Sequence, residues 1–354
     1  MEKKKKVTID VIAEAVGVSK TTVSRYLNGR TELMSKATAK KIQNIIELCD
    51  YRPSEYARAL KNNRTKMIGI IVSDILSPWT SAFIGGCEEV LSEEGYSALF
   101  LNSNNSIKKE KELAASLETR GVEGLIVNPA SYNDPYLMKY SLSGMPLVIC
   151  DRLVKDYPFN AVIAGIREPI NALIAHLKSQ GFTRPVLFSL TKHENYARMI
   201  RVKAFKEAML AIYGYCNDED IFNIKNDNSE EVFLRLRDFI EVLSPEERVC
   251  ILCVNTITTL RVFSAIQRLN LSIPKDIGIC GQDDWCWDNS IRLPSLLYPE
   301  ITTINIDSHE IGRQCANMIL RKIAGDDDSE RCEIIEVPCS LSIRASTQLK
   351  GTND

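Results

Sequence analysis

From Met67 onward the chain repeats one pattern, a short apolar run followed by a stretch with helical spacing. The runs read "MIGIIV", "SALFLN", "GLIVNP", "PLVICD", "PVLFSL", "CILCVN" and "IGICG". Helical patterns lie between them, over 82–94, 109–120, 170–180 and 201–211. A strand that returns to its sheet in parallel needs a crossover, usually a helix. The alternation therefore predicts an α/β body with parallel sheets covered by helices, and its length holds two such sheets. Ligands in these folds sit beyond the carboxyl ends of the strands, here in a cleft between two lobes. Asp151 and Arg152 follow "PLVIC", Asn255 follows "CILCV", and Asp283 and Asp284 follow "IGICGQ". Arg201 opens a helix in "ARMIRVKAFKEAM". Each alone reads as a cap or loop residue, but their recurrence at strand ends fits one ligand cleft.

Charge divides the chain in the same place. Residues 1–66 hold 15 Lys and Arg against 7 Asp and Glu, a net of +8. The remainder holds 29 against 39, a net of −10. A basic head on an acidic body points to a polyanionic partner for the head, although "KKKK" at Lys3–Lys6 by itself reads as a merely basic surface tail. No long apolar run spans a membrane, and the Lys run is not followed by a signal-peptide hydrophobic region. A cytoplasmic protein is expected. Its 11 cysteines then read as reduced, buried small hydrophobes. Cys250 and Cys253 form a C-x-x-C inside a strand pattern, where residues three apart point to opposite faces. With only His176, His193 and His309 as histidines, neither a metal nor another cofactor is expected.

The head reads helix, tight turn, helix in "TIDVIAEAVGVSKTTVSRYLNG". Ile9, Ile12, Ala13 and Val16 share a face, and Gly17 sits where the first helix would end. Ser19 is an N-cap for a second helix through about Leu27, ended by Asn28 and Gly29. Ser35 caps a third, with Ala37, Ile42, Ile45, Ile46 and Cys49 turned inward. The outward face of helix two carries Lys20, Thr21, Ser24, Arg25 and Asn28 and no Glu. Those groups suit a DNA major groove: Arg and Lys donate to guanine acceptors, Ser and Thr hydroxyls donate to phosphates, and Thr methyls touch the thymine methyl. Pro53 then stops the third helix and Ser54 caps a short segment to about Asn62. Leu60 in that polar stretch is either a minor-groove wedge or a packing contact with the next domain.

Residues 7–66, with the head motif above, "DYRPSEYARAL" and the following "KMIGIIVSDILSP", resemble the lactose-repressor family of bacterial transcription regulators. The resemblance extends to about Thr347. It implies a head at 1–52, a hinge at 53–66, a periplasmic-binding-protein-like body of two α/β subdomains at 67–347 and a tail at 348–354. It also implies a homodimer reading a palindromic operator in double-stranded DNA. Position by position, it assigns Lys20, Thr21 and Arg25 to base reading and Thr8, Ser19, Thr22, Ser24 and Asn28 to phosphates or caps. Ser54 stands at the hinge cap, and Leu60, with Ala57 beside it, matches the intercalating hinge leucine. For the effector pocket the resemblance implies Trp79, Asp151, Arg201, Asn255 and Asp283, with Asp284 structural. Carboxylates and amides for hydroxyls, plus one Arg for a carboxylate, describe a sugar or sugar-acid effector. "SRYLNG" followed by "MS", and "DDWCW", resemble the subgroup sensing 2-keto-3-deoxygluconate and related uronate products. The chain departs from the family pattern at Val11, Ser54, Gly165–Ile166, Thr256 and Gln282. The alternative, a sugar-binding protein without DNA function, lacks a reason for the basic head. An enzyme is not expected, because no nucleophile–base pairing, phosphate loop or metal cluster is present and adjacent Asp283 and Asp284 should diverge.

Overall fold

The computed structural model describes residues 7–51, 64–190, 195–224, 228–284, 286, 291–326 and 332–349. Hinge residues Ser54, Ala57 and Leu60 lie outside them. The chain divides into two compact units, residues 1–66 and 67–354.

In the first unit α1 (Ile9–Val16), α2 (Lys20–Leu27) and α3 (Lys36–Leu48) enclose Ile12, Ala13, Val23 and Ile42. Polar side chains set the helix starts. Thr8 caps α1, Ser19 accepts from the Thr22 amide at 3.2 Å, and Ser35 accepts from the Thr38 amide at 3.1 Å. Gly17 ends α1 at φ 72°, the left-handed conformation that glycine adopts without a Cβ penalty. Ala37 departs from the expected inward stripe: it lies in the first turn of α3 and is exposed. Ile45, Ile46 and Cys49 are half-buried.

The second unit contains two six-stranded sheets. The first is ordered β11-β5-β4-β3-β1-β2, all parallel, and the second β12-β10-β9-β8-β6-β7, parallel except for β12. The first comprises β1 (Met67–Val72), β2 (Ser97–Asn102), β3 (Gly124–Val127), β4 (Leu147–Cys150), β5 (Ala161–Gly165) and β11 (Ile334–Pro338). The second comprises β6 (Arg184–Leu190), β7 (Ile221–Ile224), β8 (Val249–Cys253), β9 (Gly278–Gln282), β10 (Thr302–Asn305) and β12 (Ser340–Ser342). The two orders are the same pattern twice, so β4 and β9 occupy matching places, as do β3 and β8. Period-two geometry distributes each strand over both sheet faces. Ile68, Ile70 and Val72 join Phe83 and Leu91, whereas Ile71 joins Leu117 and Ile149 on the other face. Cys250 and Cys253 are buried in β8, and among the described residues no cluster of His, Cys, Asp or Glu could hold a metal.

Five helices matter for the cleft and its support: α4 (Pro78–Glu93), α5 (Ile107–Thr119), α8 (Tyr196–Tyr213), α10 (Thr256–Arg268) and α12 (Ser308–Ala324). The first begins four residues before the expected position, with Pro78 in the first turn where its missing N–H costs nothing. Helix α12 follows β10 of the second sheet but packs on α4 and on β3, β4 and β5 of the first. The chain thus passes between lobes after β5, after β10 and between β11 and β12.

The α4–α12 contact is made backbone to backbone. A Cβ on Gly86 would overlap the His309 carbonyl, and one on Gly312 would overlap the Phe83 carbonyl. The Cys87 thiol donates to Gly312 O at 3.4 Å. Gly85, one residue away, would place its Cβ 3.6 Å from the His309 side chain, an ordinary contact. Gly312→Ala is therefore expected to destabilise the body by about 2 kcal/mol through overpacking against fixed backbone. Gly85→Ala should be neutral or stabilising by about 1 kcal/mol from helix propensity. Denaturant unfolding of the two variants side by side checks the contrast; equal midpoints would remove the close approach as its cause.

Candidate effector cleft and DNA-binding face

Strand ends from both sheets converge on one cleft of about 430 Å³. The first lobe contributes Ser73 and Asp74 after β1, Asn104 and Asn105 after β2, Asn128 after β3, Asp151 and Arg152 after β4, and Trp79 from α4. The second contributes Arg198 and Arg201 from α8, Asn255, Thr256 and Arg261 at α10, and Asp283 after β9. The five residues expected at an effector pocket, Trp79, Asp151, Arg201, Asn255 and Asp283, are all brought together at this cleft.

The matching strands place matching aspartates. Asp151 has φ 60° and its amide donates to Val162 O on β5 at 2.8 Å. Asp283 has φ 72° and its amide donates to Ile304 O on β10, also at 2.8 Å. Each strand ends with the chain in the left-handed region, which Asp tolerates better than most residues. Asp283 and Asp284 do diverge. Asp284 faces away from the cleft, accepting from Arg292 at 2.7 Å, from Arg344 at 2.8 Å and from the Thr303 hydroxyl. Those cations and hydroxyls hold its carboxyl below the usual range against the burial that raises it. Burial pushes the Asp283 carboxyl up, opposed by Arg201 and by the Thr256 hydroxyl, which donates to it at 3.2 Å.

Cations outnumber what the sequence announced. Arg201 is nearly buried and donates to Val254 O at 2.9 Å. It sits in the second turn of α8, not at the helix start, because Asn195 caps the helix five residues earlier than expected. Arg198 lies one turn before it on the same side. Burial lowers the Arg198 guanidinium to about 10, and the charges of Arg152 and Arg201 add to the shift. Arg152 donates to Pro129 O at 3.0 Å and Asn105 Oδ1 at 3.2 Å. Burial lowers it too, with Asp151 opposing at 3.8 Å. Arg152 already stood beside Asp151 among the strand-end candidates, and the i, i+3 spacing in "ARMIR" was the available signal for Arg198. Neither Arg261 nor Asn128 carried one. Three polar atoms in the cleft, Trp79 Nε1, Arg152 Nε and Asp283 Oδ1, are buried with no hydrogen-bond partner among the described residues. The Trp79 ring stacks on Phe83 at 5.0 Å, fixing it as an aromatic wall. Asn255 spends its Oδ1 capping α10, accepting from the Thr258 amide at 2.9 Å. Gln282, one of the departures from the family pattern, is buried beside the cleft without reaching it, and neither end of its amide has a partner among the described residues.

On the head, Lys20, Thr21 and Arg25 are exposed along α2. Lys20 Nζ pairs with Asp10 of α1. Ser19 and Thr22 share a 2.9 Å hydroxyl contact, and Asn28 Nδ2 donates to Ser24 O at 2.6 Å. These polar groups thus build the helix ends while edging the same face. No helix among the described residues is long and apolar enough to cross a membrane.

A helix-turn-helix unit joined in one chain to a two-lobed polar cleft defines a ligand-responsive DNA-binding regulator. The family model described as bacterial regulatory proteins, lacI family, matches residues 8–54, and the periplasmic binding protein-like domain matches 174–347. The chain is 34% identical over 339 residues to the HTH-type transcriptional regulator KdgR of Bacillus subtilis, covering 96% of this chain and 97% of that protein. It is 30% identical over 349 residues to the HTH-type transcriptional regulator PtxS of Pseudomonas aeruginosa, covering 98% and 97%. Among solved structures, the lac repressor dimer bound to operator and the anti-inducer ONPF superposes with a TM-score of 0.82 at 20% identity, covering 97% of this chain and 99% of that one. The chain belongs to the LacI family and is a DNA-binding transcription regulator.

Proposed function

We propose that this regulator is a cytoplasmic homodimeric repressor, without enzymatic activity, whose operator affinity is set by a sugar acid bound between its lobes. The observation that carries the effector class is the convergence of Arg152, Arg198 and Arg201 on one cleft, where burial and the neighbouring cations disfavour the charges of Arg152 and Arg198. A carboxylate there relieves both costs, as charge-assisted bonds to guanidinium are among the strongest a cleft can offer. Asp151, Asp283, Asn128 and the Trp79 wall suit the hydroxyls and the apolar face of a sugar chain. The KdgR and PtxS relatives and the 2-keto-3-deoxygluconate subgroup traits of the sequence favour a keto sugar acid over a neutral sugar.

In this reading Lys20, Thr21 and Arg25 read bases in a palindrome, since one head covers only a half-site. Thr8, Ser19, Thr22, Ser24 and Asn28 meet phosphates, and the hinge segment with Ser54, Ala57 and Leu60 enters the minor groove. Closure of the cleft on its ligand changes hinge spacing in the dimer, a coupling of about 1–3 kcal/mol in typical allosteric systems. Selection of duplexes from a random pool, with and without 2-keto-3-deoxygluconate and a panel of neutral sugars, tests it. The expected result is a palindrome whose retention shifts with the acid alone. A response to a neutral sugar instead would overturn the effector class.

A further inference from the structure

Glu110 is fully buried on α5 and does not line the cleft, yet both its oxygens point at one loop. Its Oε2 accepts from the Ala130 amide at 2.7 Å, and its Oε1 accepts from the Tyr136 hydroxyl at 2.8 Å. That loop, residues 128–136, leaves β3 at the cleft. Its Pro129 carbonyl holds Arg152 at 3.0 Å, and its Asn128 side chain donates to Cys150 O at 3.0 Å, next to Asp151. Its Tyr132 ring lies 5.7 Å from that of Tyr196, the first residue of α8 in the opposite lobe. One buried carboxylate therefore clamps the segment that fixes an arginine of the cleft and touches the other lobe.

We propose that Glu110 is a positioning residue for the effector cleft, which it holds in its binding form through the 128–136 loop, and that its protonation loosens that loop and weakens effector binding. The inference rests on the reading of the cleft as a sugar-acid site. Burial pushes the Glu110 carboxyl up to about 7, against the Tyr136 hydroxyl, the Ala130 amide and the Arg152 charge, all of which favour the ionised form. The Asp134 carboxylate repels it, and Lys111 pairs with Asp134 at 2.7 Å. Among the described residues no histidine lines the cleft. As a carboxylate Glu110 accepts two bonds at once. Once protonated, it can no longer accept from both: a proton on Oε2 removes the acceptor of the Ala130 amide, and one on Oε1 forces the Tyr136 hydroxyl to turn and accept instead of donate. A bare charge effect has the opposite sign, because neutral Glu110 leaves the cleft more attractive to anions. Glu110 does not line the cleft, so the loop geometry governs.

Calorimetric titration of the full chain with 2-keto-3-deoxygluconate at pH 6, 7 and 8 tests this. Wild-type affinity is expected to fall about fivefold from pH 8 to pH 6, the worth of one net hydrogen bond. Glu110→Gln should stay at the wild-type pH 6 level throughout. Tyr136→Phe, which keeps the ring and removes one donor, should bind a few-fold more weakly at pH 8. Hydrogen exchange of residues 128–136 in the ligand-free chain should be faster in both variants at pH 8. Persistence of the wild-type pH profile in Glu110→Gln, or tighter binding at low pH, overturns the proposal. Failure of the wild type to bind the acid at any pH defeats the effector reading instead, and the exchange measurement then decides the clamp: unchanged protection of 128–136 overturns it.

Discussion

Arg201→Ala is expected to abolish the sugar-acid response while leaving operator binding and folding intact. The guanidinium is nearly buried, anchored on Val254 O just past β8, and faces Asp283 across the strand ends. Its loss removes a charge-assisted partner for a carboxylate, and truncating one side of such a buried pair costs about 2–5 kcal/mol. Affinity for the acid should therefore drop at least about thirtyfold. The deletion also removes the cation that opposes burial at Asp283, so that carboxyl moves further up and is protonated over a wider range. Arg201→Lys separates charge from geometry, because an ammonium keeps the charge but cannot present two parallel donors. It should recover part of the affinity. Titration of each variant with 2-keto-3-deoxygluconate, alongside thermal unfolding, checks the expectation. An unchanged dose curve for Arg201→Ala at full stability would falsify its place in the binding site.

The residues that made this cleft legible in the sequence are those fixed by local rules. Strand β1 occupies the whole of "MIGIIV" and β2 the whole of "SALFLN", because each is an uninterrupted run bounded by polar residues. Ser19, Ser35 and Gly17 mark helix ends for reasons contained within four residues of chain. Where the decision is made at long range, the sequence is silent. Strand β10 is "TTIN", and its Thr302 and Thr303 are buried only because Ser346, Thr347, Arg344 and Asp284 satisfy them from elsewhere. Strand β5, "AVIAG", is short and pairs with β11 from the far end of the chain. The cleft behaves likewise. Asp151 and Asp283 announce themselves by following apolar runs, whereas the role of Arg152 depends on Pro129 and Asn105, which only the folded sheet brings near.

Arg25→Ala is expected to erase most of the operator's advantage over random DNA while changing non-specific affinity little. Arg25 is exposed in the last turn of α2, the helix whose inward side is pinned by Val23 in the head core. Helix α2 is rigid for its length because Ser19 and Asn28 close its two ends with side-chain bonds. A rigid helix presents its cation with little entropy to lose, so a bidentate contact to guanine is worth about 1–3 kcal/mol of discrimination. A palindrome counts that contact twice, giving about 2–6 kcal/mol per dimer. Lys20 provides the internal contrast. Its ammonium pairs with Asp10 on α1, so binding DNA through it must first release that partner. An exposed pair is weak, so its release offsets only part of what Lys20 gains. The larger difference is that an ammonium lacks the two parallel donors of a guanidinium, and Lys20→Ala should cost less discrimination than Arg25→Ala. Salt dependence separates base reading from phosphate contact. Loss of a phosphate contact lowers the slope of log affinity against log salt by about 1 per half-site, whereas loss of a base contact lowers specificity across all salt concentrations. Arg25→Ala should therefore keep the slope and lose the preference, measured as the ratio of operator to scrambled-duplex affinity at two salt concentrations. A reduced slope with the preference intact would move Arg25 to the backbone and leave base reading to Lys20 and Thr21.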